Sequence, residues 1–271
     1  MDDASLLRLA CDLAARAGET IMAVRARGFA TSAKADKSPV TEADHAAEAL
    51  IVAGLRAATP DIPVIAEEEV AAGHAPAHAP VCWLVDPLDG TREFSGGRDE
   101  FAVCIGLVRD GRPVLGAVGA PAAREVFGGI VGQGAWKIDP TGRRPIAARR
   151  SPAEGLTVVA SRHSGNDPRL KPYLAGRPVA SLINFGSALK FCWLADGRAD
   201  LYPRFGTTSE WDTAAGQALV EAAGGSVRVI ATGHAADRGS TSVSGPGQNA
   251  PASRRARSVG AASAKAAAGS G

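Results

Sequence analysis

The stretch Trp83-Leu84-Val85-Asp86-Pro87-Leu88-Asp89-Gly90-Thr91 constrains this chain more than any other. An apolar run ends in two carboxylates three positions apart, followed by a glycine and a hydroxyl. Trp, Leu and Val favour a buried strand, and Pro87 predicts a turn where that strand runs out. Such a turn can aim both carboxylates at one point. A cluster of oxygen donors alone suits a hard cation such as Mg²⁺.

Helix and strand signals alternate on both sides of this stretch. Leu6, Leu9, Leu13, Ala17 and Ile21 recur at helical spacing, and Asp2 and Asp3 favour a helix N-terminus. A second amphipathic stretch covers residues 42–55, with Thr41 placed as its N-cap. Residues 62–66, 81–85, 157–160 and 199–202 read as strands, and 187–194 and 213–223 as helices. Phe101, Val103, Ile105 and Leu107 alternate, and Arg109-Asp110-Gly111-Arg112 turns the chain into residues 114–118. This predicts a β-hairpin, and hence a sheet that is at least partly antiparallel. With 271 residues, 45% of them hydrophobic, the chain can bury a large core as one domain or two lobes. The order of elements predicts an α/β body of the layered α+β kind, without internal repeats.

The net charge of +2 is unevenly spread. Beyond residue 230, Arg238, Arg254, Arg255, Arg257 and Lys265 stand against Asp237 alone, which leaves the body at −2. The body therefore carries no electrostatic hint of polymeric nucleic acid. Past Ile230 the only large aliphatics are Val243 and Val259, amid Ala, Ser, Gly, Pro and Arg. Such a segment cannot bury enough apolar surface to offset its ordering entropy, so it is expected to be disordered. Cys11, Cys82, Cys104 and Cys192 are scattered among apolar neighbours, the pattern of buried free thiols in a reducing compartment. The acidic start Met1-Asp2-Asp3 lacks the pattern of a signal peptide, and no apolar run reaches the length of a membrane span. A cytoplasmic protein is expected, with a peripheral position at the inner membrane left open.

Other acids give Asp86 and Asp89 their weight. Glu67-Glu68-Glu69 closes the preceding strand, and Trp211-Asp212-Thr213 opens a late helix. One segment cannot surround a cation, and acids at several strand and helix ends can meet at one sheet edge. Two Mg²⁺ ions held there could activate water and neutralise phosphate oxygens during an in-line displacement. Gly90 and Thr91 fit a helix start, where free N–H groups favour a phosphate. Other schemes find no support: there is no Walker-type loop, no Gly-x-Gly-x-x-Gly after a strand and no Gly-x-Ser-x-Gly elbow. His74 and His78 lie in an Ala/Pro-rich loop whose spacing alone makes no zinc site.

Asp86-Pro87-Leu88-Asp89-Gly90-Thr91, together with Ala66-Glu67-Glu68 and Trp211-Asp212-Thr213-Ala214-Ala215-Gly216, resembles the three metal-binding signatures of the inositol monophosphatase superfamily. Within it, the motifs running from Asp36 to Asp44 and from Leu201 to Gly206, and Arg92-Glu93-Phe94, resemble the CysQ-type 3'(2'),5'-bisphosphate nucleotidases. The resemblance covers residues 5–230. It divides the chain into a phosphatase domain, residues 1–230, of the sugar-phosphatase fold with alternating helix and sheet layers, and a basic low-complexity tail, residues 231–271.

The resemblance implies a Mg²⁺-dependent phosphomonoesterase releasing the 3'-phosphate of adenosine 3',5'-bisphosphate, with lithium sensitivity. Glu67, Asp86 and the Leu88 carbonyl would hold one ion, and Asp86, Asp89 and Asp212 a second. Asp36 would assist near a weaker third position. Thr91 and Glu67 would orient the attacking water, and Gly90 and Thr91 would meet the phosphate. Ser187, Lys190, Arg204 and His163 would contact the rest of the nucleotide. Inositol or sugar phosphates are the alternative substrates, and a nucleotide-binding protein without turnover is the alternative from another class. A second copy of the chain is a candidate partner.

Overall fold

The computed structural model describes residues 1–34, 38–74, 76, 79–162, 167–230 and the backbone of 241–244. Helix α1 (Asp3–Arg27) starts where the Asp2 carboxylate accepts the Ser5 N–H, and Arg25 and Arg27 complement the dipole in its last turn. Helix α2 (Glu42–Ala58) starts on a capping box in which the Asp44 carboxylate accepts both the N–H and the hydroxyl of Thr41. A short ribbon, β1 (Thr31–Ala33) with β2 (Pro39–Thr41), joins the two helices.

Both helices cover one face of a seven-stranded sheet. Its order is β3 (Val64–Ala66), β4 (Val81–Asp89), β5 (Ala102–Arg109), β6 (Arg112–Ala120), β7 (Glu125–Ile130), β8 (Gly134–Asp139) and β9 (Gly142–Ile146). The β3–β4 pair is parallel and every later pair antiparallel, with the expected β5–β6 hairpin turning at Asp110-Gly111. Along β5, Val103, Ile105 and Leu107 enter the core under α1 and α2. Ala102 and Cys104 enter a second core with α6 (Leu189–Ala195) and α7 (Ala214–Ala222). Burial on both faces explains why the positions between the alternating Val103, Ile105 and Leu107 are apolar or glycine as well.

Beyond α6 and α7 lies a second sheet, in the order β11 (Val179–Phe185), β10 (Leu156–Ser161), β12 (Leu201–Arg204), β14 (Thr241–Ser244), β13 (Ser226–Val229). Val159 and Tyr202 join it to the α6–α7 core, while Leu156, Val158 and Leu201 pack under α5 (Leu170–Leu174) through Tyr173 and Leu174. The layers thus alternate helix, sheet, helix, sheet, helix, as expected for a layered fold of mixed sheets. All four cysteines are buried free thiols. Among the described residues, no helix is long and apolar enough to cross a membrane.

Two expectations change. Pro87 does not end its strand: Asp86 pairs with Cys104 and Asp89 with Ala102, so β4 advances three residues where β5 advances two. This is a bulge, a place in a sheet where a residue without an N–H is tolerated. In the segment expected to lack order, Thr241–Ser244 form β14, which pairs with β12 on one side and β13 on the other. Ladder bonds on both edges supply what that composition does not. The rest of residues 231–271 lies outside the described residues.

Candidate active site

Strand and helix ends converge at one edge of the large sheet. β3 stops at Ala66, and α3 (Glu67–Ala71) begins with Glu67. β4 carries Asp86 and, across its bulge, Asp89. Gly90 takes a left-handed φ of 94° and opens α4 (Thr91–Ser95). A Cβ there would lie 2.9 Å from the Glu100 carbonyl oxygen, so both the conformation and the space call for glycine. Asp212 sits just ahead of α7.

Asp86 is the centre of this group. It is 2% exposed, its Oδ1 accepts the Leu88 N–H at 3.0 Å, and its carboxyl is within hydrogen-bonding reach of Glu67. Burial, and then the charges of Glu67, Asp89 and Asp212, push the Asp86 carboxyl well above the usual carboxylate range. Burial and the Asp212 charge push Asp89 up to about 6, against the pull of Lys190, the Ala188 N–H and Arg204. Asp89 Oδ2 accepts the Ala188 N–H, while Asp212 Oδ2 accepts the Thr208 hydroxyl at 2.7 Å and the Ser209 N–H at 3.1 Å. The first two of the three consecutive acids share a partner and the third has its own. Lys34 Nζ lies 2.7 Å from Glu67 and 2.6 Å from Glu68, and Glu69 pairs with Arg56.

The donor chemistry fits a hard divalent cation: every candidate ligand is an oxygen, and the carboxylates repel one another at a buried point. Among the described residues, no three His, Cys, Asp or Glu side chains are gathered closely enough to hold an ion, since Asp89 and Asp212 turn onto N–H and hydroxyl donors. The residues that would hold one are Glu67, Asp86, Asp89, Asp212 and the carbonyl of Leu88.

Thr91 stands beside them. Its hydroxyl lies 3.0 Å from Asp44 Oδ1 and 3.1 Å from the Leu88 carbonyl oxygen. The sequence reading missed Asp44 as a partner of Thr91. The Thr-x-x-Asp spacing of a capping box marks Asp44 as the third residue of α2 but says nothing of Thr91. It also missed Lys34 and Glu48, for which the sequence carries no signal.

Asp89, Gly90, Ser187, Lys190, Arg204 and Asp212 are among the residues lining a cavity of about 220 Å³. Lys190, which pattern reading would leave facing solvent, is 2% exposed and donates to the carbonyls of Phe185 at 3.1 Å and Ser187 at 2.5 Å. Ser187 holds a φ of 53° where the chain enters α6. Arg204 reaches the Tyr202 hydroxyl and the Thr207 carbonyl, both at 3.3 Å, and its buried Nε has no hydrogen-bond partner among the described residues. Asp36 and His163 lie outside the described residues.

The pattern of the Inositol monophosphatase family matches residues 2–266, past the limit of 230 expected from the motifs. The chain is 45% identical over 226 residues to the 3'(2'),5'-bisphosphate nucleotidase CysQ of Salmonella typhimurium, covering 82% of this chain and 89% of that one. Among solved structures it is similar to CysQ from Bacteroides thetaiotaomicron, at 32% identity and a TM-score of 0.71, covering 89% of this chain and 97% of that one. It is also similar to the inositol monophosphatase of Anabaena (Nostoc) sp. PCC 7120, at 28% identity and a TM-score of 0.71, covering 89% and 90%.

Proposed function

We propose that this chain, which belongs to the inositol monophosphatase family, is a Mg²⁺-dependent phosphomonoesterase that removes the 3'-phosphate of adenosine 3',5'-bisphosphate, leaving AMP and phosphate. The observation that carries the reading is the buried Asp86 carboxyl with Glu67, Asp89 and Asp212 around it: burial and those neighbouring charges raise the proton affinity of Asp86, and a cation would relieve them. Glu67, Asp86 and the Leu88 carbonyl would hold one Mg²⁺, and Asp86, Asp89 and Asp212 a second, with a weaker third position near Asp36. Bound there, the ions would ease deprotonation of water and offset charge on the phosphate oxygens.

The chain's own groups do the rest. The Thr91 hydroxyl has one proton and two acceptors within reach, the Asp44 carboxylate and the Leu88 carbonyl. When the Thr91 O–H donates its hydrogen bond to Asp44, the Thr91 oxygen is left to accept a hydrogen bond from the attacking water and so to point the water's lone pair at phosphorus. Glu67 is the neighbouring acceptor for the proton the water loses. The N–H groups of Gly90 and Thr91, at the open start of α4, meet the phosphate oxygens. Attack opposite the 3'-oxygen then breaks the phosphorus–oxygen bond, and the 3'-oxygen departs with the bonding pair and takes up a proton from solvent water to become the 3'-hydroxyl of AMP. Lys190 and Arg204 line the adjoining cavity with positive charge suited to the remaining 5'-phosphate, beside Ser187 and, by motif, His163.

The likeness to the Anabaena inositol monophosphatase keeps inositol and sugar phosphates as a second substrate reading. Phosphate release from adenosine 3',5'-bisphosphate, an inositol monophosphate and a sugar bisphosphate, measured in parallel, separates them: the nucleotide should be turned over fastest, with inhibition by lithium. Asp89→Asn should abolish release at saturating Mg²⁺. Unchanged release in that variant would sink the carboxylate reading, and tight nucleotide binding without Mg²⁺-dependent turnover would point to a binding protein instead. A cytoplasmic place of action goes with this substrate.

A further inference from the structure

Helix α2 turns two acids, one helical turn apart, into the protein: Asp44 is 1% exposed and Glu48 is 5% exposed. Asp44 serves Thr91, whereas the proposed chemistry leaves Glu48 without a task. Its two carboxylate oxygens accept the N–H of Glu68 at 2.7 Å and that of Glu69 at 2.9 Å. These are the second and third residues of α3, whose N-cap, Ala66, has no side chain that could accept them. The first N–H groups of a helix have no acceptor within the helix. Glu48 therefore caps α3 from a neighbouring helix, at the point where the chain leaves the sheet.

Glu67 lies between two fixed points. On one side Ala66 is paired in register with Val85 of β4. On the other, the next two amides are held by Glu48. With both neighbours pinned, the backbone of Glu67 has little freedom, and its carboxylate stays within reach of Asp86. A carboxylate is a stronger anchor for two N–H groups than a neutral acceptor. Its burial beside the acids of Glu68 and Glu69, which themselves pair with Lys34 and Arg56, is costly without those bonds. We infer that Glu48 is a positioning residue for Glu67, setting the aim of that carboxylate and through it the affinity of the site for Mg²⁺. This inference rests on the reading of Glu67 as a Mg²⁺ ligand.

The test uses the full chain with Glu48→Gln, which keeps the volume but can accept only one of the two N–H groups, and Glu48→Ala, which accepts neither. Ile51→Val, a buried change on the same helix, controls for loss of stability alone. Amide hydrogen exchange in the metal-free protein reports on residues 64–72, calorimetry gives Mg²⁺ affinity, and phosphate release gives kcat at saturating Mg²⁺. Both Glu48 variants should exchange faster over residues 64–72 and bind Mg²⁺ roughly tenfold more weakly, as loss of a partner that orients a ligand does. Their kcat at saturating Mg²⁺ should fall as well, further in Glu48→Ala than in Glu48→Gln, because Glu67 also takes the proton of the attacking water, and Ile51→Val should change neither exchange there nor affinity. If Mg²⁺ affinity is unchanged in Glu48→Gln, or falls only as far as in Ile51→Val, the inference is overturned. Glu67→Gln isolates the premise: unchanged Mg²⁺ affinity in that variant would remove Glu67 as a ligand, whatever Glu48 does.

Discussion

A hydroxyl with one proton and two acceptors is a directional device, and Thr91 is the residue where direction matters most. With Asp44 accepting the hydroxyl's hydrogen bond, Thr91→Val should lower kcat by about 10²–10⁴-fold, the range for loss of proton handling at a reacting group, with little change in Mg²⁺ affinity. Thr91→Ser should keep most of the rate. Equal losses in the two variants would show that the methyl packs and the hydroxyl does nothing. Glu48 offers a second test at this scale, through pH. Burial, reinforced by the charges of Glu68 and Glu69 and opposed by its two N–H bonds, pushes its carboxyl up to about 7. The folded state thus holds this proton more tightly than the unfolded chain. Glu48 therefore costs stability as pH rises from the ordinary carboxylate range through about 7, and the cost disappears on acidification. In metal-free protein, the fall in melting temperature between pH 5.5 and 7.5 should be smaller for Glu48→Gln than for the unaltered chain, and equal slopes would refute the shifted titration. The placing of Asp86, Asp89 and Asp212 at the ends of elements was legible in the sequence because it follows from local spacing, whereas the ligand roles proposed for them came from the family resemblance. Asp44 was only half legible: its place in the capping box is local, but its bond to Thr91 spans 47 residues.

Elements set these residues in place by how closely they can approach. A Cβ on Gly116 of β6 would lie 2.3 Å from the carbonyl oxygen of Ala215 in α7, and one on Gly106 of β5 would lie 2.8 Å from the Ala215 amide nitrogen. Two glycines facing α7 let its first turn rest on the sheet itself, and that turn follows directly on Asp212. Gly116→Ala meets backbone atoms that cannot rotate away, so it should destabilise the fold by at least about 1–3 kcal/mol, the usual range for overpacking. Since α7 must lift to admit the methyl, Mg²⁺ affinity should weaken as well. A normal melting temperature with unaltered Mg²⁺ binding would show that α7 is not seated by this contact. The sequence announced α1, α2, α7 and the β5–β6 hairpin because their apolar periods are strong. It gave no notice of β11, where only Ile183 and Phe185 of the half-buried positions reach the core while Val179 and Leu182 stay exposed, which blurs the apolar period. The strand expected at 199–202 begins at Leu201, and the Asp200 just before it holds the start, its N–H donating to the Thr157 carbonyl and its carboxylate accepting from Arg149 and the Thr157 N–H.

For the molecule as a whole, the open question is where the folding unit ends. Composition sets the limit at residue 230, because nothing beyond it can build a core. Backbone pairing sets it later, since β14 lies between β12 and β13 and bonds to both. Composition could not reveal this strand, whose contribution to the sheet is read from its backbone. Without residues 241–244, β12 and β13 lose their shared neighbour, and the edge of β12 that carries Tyr202 and Arg204 is opened. Two truncations separate the readings. A chain ending at residue 230 should melt several degrees below the full chain and bind the nucleotide more weakly, because Arg204 pairs across from Thr241. A chain ending at residue 246 keeps the strand and should match the full chain in both measurements. If the shorter chain melts with the full one, β14 contributes nothing and the domain ends where composition says it does. If both truncations fall together, residues beyond 246 also belong to the fold, in keeping with a family match that extends to residue 266.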